Sequence, residues 1–373
     1  MQPTRVLMLL TGMELGGAEW QTLHLCSGLQ KKGYVIKVVS MIPIGALGEK
    51  IQERGLEIVS LGMKRGIPDP RALMRLAKII RAWQPHILHC HMVHANLLGR
   101  CVRWFARIPV VISTAHNINE GACWREWAYG LTDRFCDLTT QVSRAGMKRY
   151  LRIGAVSENK IRFVPNCVDL DLFHPDLSSR EMTRKQFGLE ERFVWLAVGR
   201  FDEQKDYPNM LHAFARAIAE YPQQLLLIAG QGVLKKRMEQ LARELEIHQQ
   251  IRFLGIRQDI PVLMNLADGC LMSSAWEGMS LVLLEASASA LPIVATDVGG
   301  NREVILEGKS GFLVPPKNFT ALTNAMLRLV RLSRDERQKM GHAGREHVAQ
   351  NYASSYVVDL WDNLYREFLE KKL

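Results

Sequence analysis

Short, continuous apolar runs separated by helix-length stretches govern what this chain can fold into. RVLMLL (5–10) is followed by a Gly-containing turn, then by AEWQTLHLCSGLQKKG, which closes at Gly33, then by YVIKVVSM. PHILHC and PVVISTAH are two more such runs, with a helical stretch over 94–106 between them. Runs without polar alternation suit strands buried on both faces, and strands alternating with helices build a parallel sheet with crossovers on both sides. The pattern restarts after about residue 190 with FVWLAVG, QQLLLIAG, IRFLG, GCLMSS and PIVATD. Between the halves, VPNCVDLDLFHPDLSS is rich in Pro, Asp and Ser, as a linker would be. A chain of 373 residues is also long for a single core. The fold class expected is α/β: two Rossmann-like, doubly wound parallel-sheet domains in series, with a cleft between them.

Composition and charge narrow the partners. Apolar content of 47% with 23% charged residues describes a folded chain rather than a disordered one. No apolar run reaches the length of a membrane span, and MQPTRVLMLLTG lacks the small-residue cleavage site of a leader, so it reads as a buried first strand. The seven cysteines (26, 90, 101, 123, 136, 167 and 270) form no CxxC pair. They read as buried small hydrophobes in a reducing, cytoplasmic setting. Residues 1–180 carry 24 Lys and Arg against 14 Asp and Glu, whereas residues 181–373 carry 24 of each. The net charge of +10 therefore lies in the first half, which points that half toward an anionic surface or ligand. In RALMRLAKIIRAW (71–83), Arg71, Arg75, Lys78 and Arg81 recur at helical spacing with Leu73, Leu76, Ala77 and Ile80 between them. Such a helix either packs on the core with a solvated face or lies against a membrane. No nucleic-acid recognition motif accompanies the charge, so nucleic acid is not an expected partner.

Five places carry candidate chemistry. The turn TGMELGGAEWQT has GxxxGG spacing in place of GxGxxG, and the second strand ends without an acid to hold a ribose, which excludes a nicotinamide site. Gly16 and Gly17 still allow a ligand phosphate close to the backbone at a helix start. The cluster His86, His89, Cys90, His91 and His94 tempts a metal reading. On a strand, however, Cys90 opposes His89 and His91, and no carboxylate joins them at ligand spacing, so no metal is expected. His116 follows the run PVVISTA and so stands at a strand's C-terminal end, where parallel sheets bind ligands. In WLAVGRFDEQKDYPNM, Gly199 and Arg200 end a strand and Lys205 follows, a pair of cations suited to a diphosphate.

The fifth place is SSAWEGMSLVLLEASASALPIVATDVGGNREVI (273–305). Gly278, Met279 and Ser280 precede an apolar helix expected over 281–290, so its first N–H groups, through Leu281, carry partial positive charge. Glu277 and Glu285 are eight positions apart, which on one continuous helix would place both on a shared face about 12 Å apart. That is too far for two acids to act on one glycosidic bond, where about 5–9.5 Å is needed, and suits the two ends of an elongated ligand such as a nucleotide-sugar.

These residues carry a resemblance. EGMSLVLLEA, with its E-x7-E spacing, resembles the signature of glycosyltransferase family 4, the group 1 retaining enzymes of the GT-B fold that include those of surface-polysaccharide assembly. The likeness extends through GGAE (16–19), HCHMVHANLLGR (89–100), STAHN (113–117), KIRFVPNCVD (160–169), VGRFDEQKD (198–206), LLLIAGQG (225–232), IRFLG (251–255) and ATDVGGNREVI (295–305). It implies an acceptor-binding domain over 1–172 and a donor-binding domain over 173–351, with the last helical stretch, 352–373, packing back on the first. It also implies that Arg200 and Lys205 bind the donor diphosphate, Glu285 the ribose and Glu277 the transferred sugar. Gly17 would approach the phosphates and His116 the donor sugar, with no cofactor or metal required. The partners so implied are a nucleoside-diphosphate sugar, a UDP-sugar by base rate, and a lipid-linked or glycan acceptor at the anionic inner face of the cytoplasmic membrane. Ser280 and Leu281 stand where the family often has Pro and Asn, Ala290 where it has Gly, Gln231 where Asp is frequent and Cys167 where Gly is usual. None of these departures removes a charged group from the implied site. Two other readings share the fold: a nucleotide-sugar epimerase, and a non-catalytic membrane-associated scaffold.

Overall fold

The computed structural model describes residues 3–13 and 16–372. It comprises two compact units, one formed by Met1–Asn166 with Ser354–Leu373 and the other by Cys167–Ala353. In the first, strands β1 (Arg5–Leu10), β2 (Val35–Ser40), β3 (Glu57–Ser60), β4 (Ile87–His91), β5 (Val110–Ala115), β6 (Leu138–Gln141) and β7 (Ile161–Phe163) form one sheet. Their order is β3-β2-β1-β4-β5-β6-β7, and every pairing is parallel. Helices α1 (Gly17–Lys31), α2 (Ala46–Glu53), α3 (Arg71–Trp83), α4 (Val93–Val102), α5 (Cys123–Thr132) and α6 (Arg144–Arg152) make the crossovers.

The second unit opens with α7 (Leu177–Phe187). Its strands are β8 (Phe193–Val198), β9 (Gln224–Ala229), β10 (Ile251–Gly255), β11 (Gly269–Met272), β12 (Ile293–Thr296) and β13 (Gly311–Val314), in the order β10-β9-β8-β11-β12-β13. All of these pairs are parallel too. Between and after them run α8 (Tyr207–Glu220), α9 (Lys235–Glu244), α10 (Ile260–Leu266), α11 (Leu281–Ala288), α12 (Asn301–Val304), α13 (Phe319–Arg331) and α14 (Arg334–Tyr352). The last helix, α15 (Ser354–Glu370), belongs to the first unit.

Apolar burial explains both sheets. Val6 to Leu10 and Leu225 to Ala229 are at most 1% exposed, as strands covered on both faces must be. The sequence pattern locates nine of the strands and passes over β3, β6, β7 and β13, each only three or four residues long. β6 (LTTQ) is polar yet wholly buried; Thr139 Oγ1 accepts from the Arg100 guanidinium at 2.7 Å, and Thr140 Oγ1 lies 2.7 Å from Thr114 Oγ1. Among the described residues, no helix is long and apolar enough to cross a membrane.

Candidate active site

Strand order selects the place where a ligand can sit. The chain runs from β8 outward to β9 and β10 on one side, then returns from β10 to β11 on the other side of β8 and runs outward to β12 and β13, so the direction of the crossovers reverses between β8 and β11. The crevice beyond the C-terminal ends of two such strands is where open parallel sheets bind ligands. Gly199, Arg200 and Lys205 follow β8, and Glu277 to Leu281 follow β11, so the structure brings these candidates to one edge of the second sheet.

Glu277 is the hub. Lys205 Nζ lies 2.5 Å from its Oε1, Ser274 Oγ donates to the same oxygen at 2.7 Å, and Gln204 Nε2 donates to Oε2 at 3.1 Å. The carboxylate is almost fully buried, so these partners replace the water it gives up. Backbone contacts stitch the two loops together. Ala275 N–H donates to the Gln204 carbonyl at 2.8 Å, and Ser273 Oγ donates to the carbonyls of Lys205 and Asp206 at 2.7 and 2.9 Å. A short 3-10 turn over Glu203–Lys205 presents the ammonium, and its cap Asp202 accepts from the Lys205 N–H at 3.3 Å. Arg200 is different in kind. Its side chain is 68% exposed and its ion pair with Asp202 is loose at 3.5 Å, so the guanidinium is available to a ligand.

The expectation of a shared helix face is overturned. Glu277 lies outside α11, which begins at Leu281 after an N-cap, Ser280, in extended conformation (φ −75°, ψ 122°) that makes no side-chain capping bond. The helix also ends at Ala288 rather than 290, because Ala290 takes a left-handed φ of 54°. The 298–300 turn holds the Glu277 loop off the helix. Gly300 N–H donates to the Gly278 carbonyl at 2.7 Å, and a Cβ on Gly299 (φ 59°) would fall 2.1 Å from the Glu277 carbonyl oxygen. Only glycine fits there. Met279 and Ser280 are buried within this connection, and Leu281 opens the helix with its amide end uncapped by a side chain.

Glu285 lies one turn into α11, half-buried among the fully buried Leu283, Leu284 and Ala286. Burial pushes its carboxyl up to about 7, and among the described residues no cation offsets that. Gln204, Ser274 and Gly299 are the site residues that sequence reasoning passed over. Paired glycines directly after a strand, in ATDVGG, were the available signal for Gly299.

The first unit places its candidates at the corresponding edge of its own sheet, where β1 lies between β2 and β4. Gly16 is the N-cap of α1 and Gly17 its first residue, again with no side-chain cap. His116 follows β5, and its Nε2 lies 3.1 Å from His91 Nδ1 at the end of β4. Burial holds the His116 imidazole down at about 4 and His89 at about 3, and His91 is lowered by burial and by both neighbours, so all three are neutral near pH 7. His89 uses both ring nitrogens, toward Tyr365 Oη (2.6 Å) and Thr114 Oγ1 (2.7 Å), which leaves neither for a metal. Among the described residues, no group of three His, Cys, Asp or Glu side chains is arranged to hold one. On α3, Arg71 and Arg75 share Asp69 at 2.9 and 2.6 Å, Arg81 donates to the Phe105 carbonyl, and Lys78 is exposed.

Comparison with known proteins covers nearly the whole chain. Residues 15–172 match the sequence profile described as Glycosyltransferase Family 4, and residues 179–347 that described as Glycosyl transferases group 1. The chain is 30% identical over 320 residues, 82% of each chain, to the GDP-mannose-dependent alpha-(1-6)-phosphatidylinositol monomannoside mannosyltransferase of Mycolicibacterium smegmatis. It is 28% identical over 279 residues, 70% of this chain and 71% of the other, to the UDP-Gal:alpha-D-GlcNAc-diphosphoundecaprenol alpha-1,3-galactosyltransferase of Escherichia coli. Among solved structures, Anabaena Alr3699/HepE in complex with UDP-glucose superposes with a TM-score of 0.87 at 19% identity, over 97% of this chain and 99% of that one. At that identity the likeness speaks for the fold.

Proposed function

The chain belongs to the group 1 glycosyltransferases of family 4, with the GT-B fold, and from that premise we propose that it moves a hexose or N-acetylhexosamine from a UDP-sugar to a lipid-linked or polysaccharide acceptor. The observation that carries the reading is the convergence of Arg200, Lys205, Glu277 and the uncapped start of α11 on one sheet edge, with Glu285 one turn into that helix. Three positive features in one place suit the two phosphates of a nucleotide-sugar. Glu285, with a carboxylate that no cation engages, suits the ribose hydroxyls. Glu277 suits the sugar.

The reaction breaks the bond between the anomeric carbon and the diphosphate oxygen and forms one to an acceptor oxygen. The acceptor's proton passes to the departing phosphate. Attack from the face that the diphosphate leaves gives retention, and no side chain is assigned as a covalent nucleophile. Charge grows on the leaving diphosphate as the bond breaks, and Arg200, Lys205 and the N–H groups near 279–281 stabilise it there. No metal or other cofactor is assigned a part. Gly16, Gly17 and His116 keep the roles the resemblance gives them. For the acceptor, the E. coli relative names a diphosphoundecaprenol sugar and the mycobacterial one a phosphatidylinositol mannoside. Both are lipids with an anionic headgroup. That chemistry fits a first half holding the whole net positive charge, and a protein working at the inner face of the cytoplasmic membrane with Arg71, Arg75, Lys78 and Arg81 turned to the lipid.

A panel of nucleotide-sugars supplied with a membrane extract, read by mass spectrometry, identifies donor and product. Arg200→Ala and Lys205→Ala should each lower turnover by about 10²–10³. Near-normal turnover in both would remove the proposed role, and nucleotide release independent of acceptor would favour an epimerase.

A further inference from the structure

α5 turns only part of its surface inward. Tyr129 is fully buried, whereas Trp124, Trp127 and Leu131 are 58%, 69% and 55% exposed. Spacings of three and four residues align these three along one outer stripe. The chain runs on into a 3-10 turn, Asp133–Phe135, which carries the stripe a turn further. There Trp104, 66% exposed just beyond the end of α4, meets Phe135 edge-to-face with ring centroids 4.9 Å apart. Phe105 is next in the chain, and its carbonyl binds Arg81 at the end of α3. Basic α3 and the aromatic stripe are thus neighbours on one surface.

Cations flank the stripe. Arg125 lies over the Trp124 ring and Arg134 over Phe135, at 5.5 and 4.7 Å from the centroids, and Arg107 is exposed. Nearby carboxylates are taken up internally: Glu126 by Arg149, Glu120 by Tyr150, Asp133 by Ser157 and Asp137 by Arg103. A row of exposed tryptophans set among cations matches the boundary between headgroups and acyl chains, where indole rings partition and Arg or Lys meet phosphate.

We infer that the outer face of α5, with Trp104 and Phe135, inserts into the headgroup layer of an anionic phospholipid membrane. This deepens the membrane reading above and rests on it for the claim that the acceptor lies in that membrane. It assigns the anchoring to aromatic insertion, with the cations of α3 as the electrostatic contribution.

The test uses the full chain with vesicles of phosphatidylcholine, with and without phosphatidylglycerol, read by flotation in a density gradient and by tryptophan emission. The wild type should float with the anionic vesicles, with a blue-shifted emission, and its binding should weaken as salt is raised. Trp124→Glu combined with Trp127→Glu should lower partitioning by about tenfold or more, while UDP binding by calorimetry stays unchanged and so reports an intact fold. A wild type that does not float, or a double variant that floats as well as the wild type, overturns the inference. So does a double variant that only converts a dimer to a monomer in light scattering, which would assign the face to a second copy of the chain. Flotation as expected without UDP binding by the wild type would sustain the membrane face and sink the donor site.

Discussion

Glu285 sits in an environment that disfavours its charge, and this has a thermodynamic consequence. Its folded-state pKa of about 7 lies above the ordinary 4.5, so between those values the folded protein binds more protons than the unfolded chain. Stability therefore falls as pH rises through that window, and above it the ionised carboxylate remains a liability. Glu285→Gln should raise the thermal stability of the nucleotide-free protein at pH 8 by about 1–3 kcal/mol and leave it nearly unchanged at pH 4. The same variant should bind UDP more weakly in calorimetry, since the ribose loses its acceptor. A variant neither stabilised at pH 8 nor weakened in UDP binding would remove Glu285 from the site. Glu285 could be picked from the sequence because apolar neighbours flank it. That Lys205 and Gln204 pair with Glu277 could not, because they are more than seventy positions away and meet it only once β8 and β11 pair.

Loops that carry charged ligands need backing, and glycine supplies it at the end of β9. Gly230 adopts φ 149°, and a Cβ there would lie 2.0 Å from the Gly199 carbonyl oxygen. Gly308 also has a positive φ, 72°, but no atom lies within 4 Å of where its Cβ would stand. Gly308→Ala should therefore cost only the backbone strain, about 1–2 kcal/mol. Gly230→Ala should cost more and should also lower UDP affinity, because relief of the clash displaces Gly199 and with it Arg200. Melting temperatures and calorimetry on the two variants check this, and equal effects would show that the close approach is unimportant. At this scale nine apolar strands were legible because burial on both faces leaves an uninterrupted hydrophobic run. Strands β3, β6, β7 and β13 were not. β6 is built from threonines whose hydroxyls are satisfied by Arg100 and Thr114, an arrangement that only the assembled sheet creates.

The chain leaves the first unit at Asn166 and re-enters it at Ser354, so the second unit is an insertion in the first. The doubly wound character of both units was readable from the alternation of runs. The resemblance, rather than periodicity, supplied the return of the last helix. What holds α15 is polar as well as apolar: Tyr365 Oη bonds His89, Asp362 accepts from Tyr34 at 2.6 Å, and Lys32 pairs with Asp359 at 2.6 Å. Tyr365→Phe removes the hydroxyl partner of a fully buried ring nitrogen and should destabilise the first unit by about 1–3 kcal/mol, measured by denaturant unfolding. An unchanged midpoint would mean that His89 finds another partner. The placement of α15 also sets an order of completion during synthesis. His89 and Tyr34 wait for a helix made only after every strand and helix of the inserted unit. Of the two units, the one begun first is thus the second to close its core, and until then its nascent sheet keeps an uncovered apolar face.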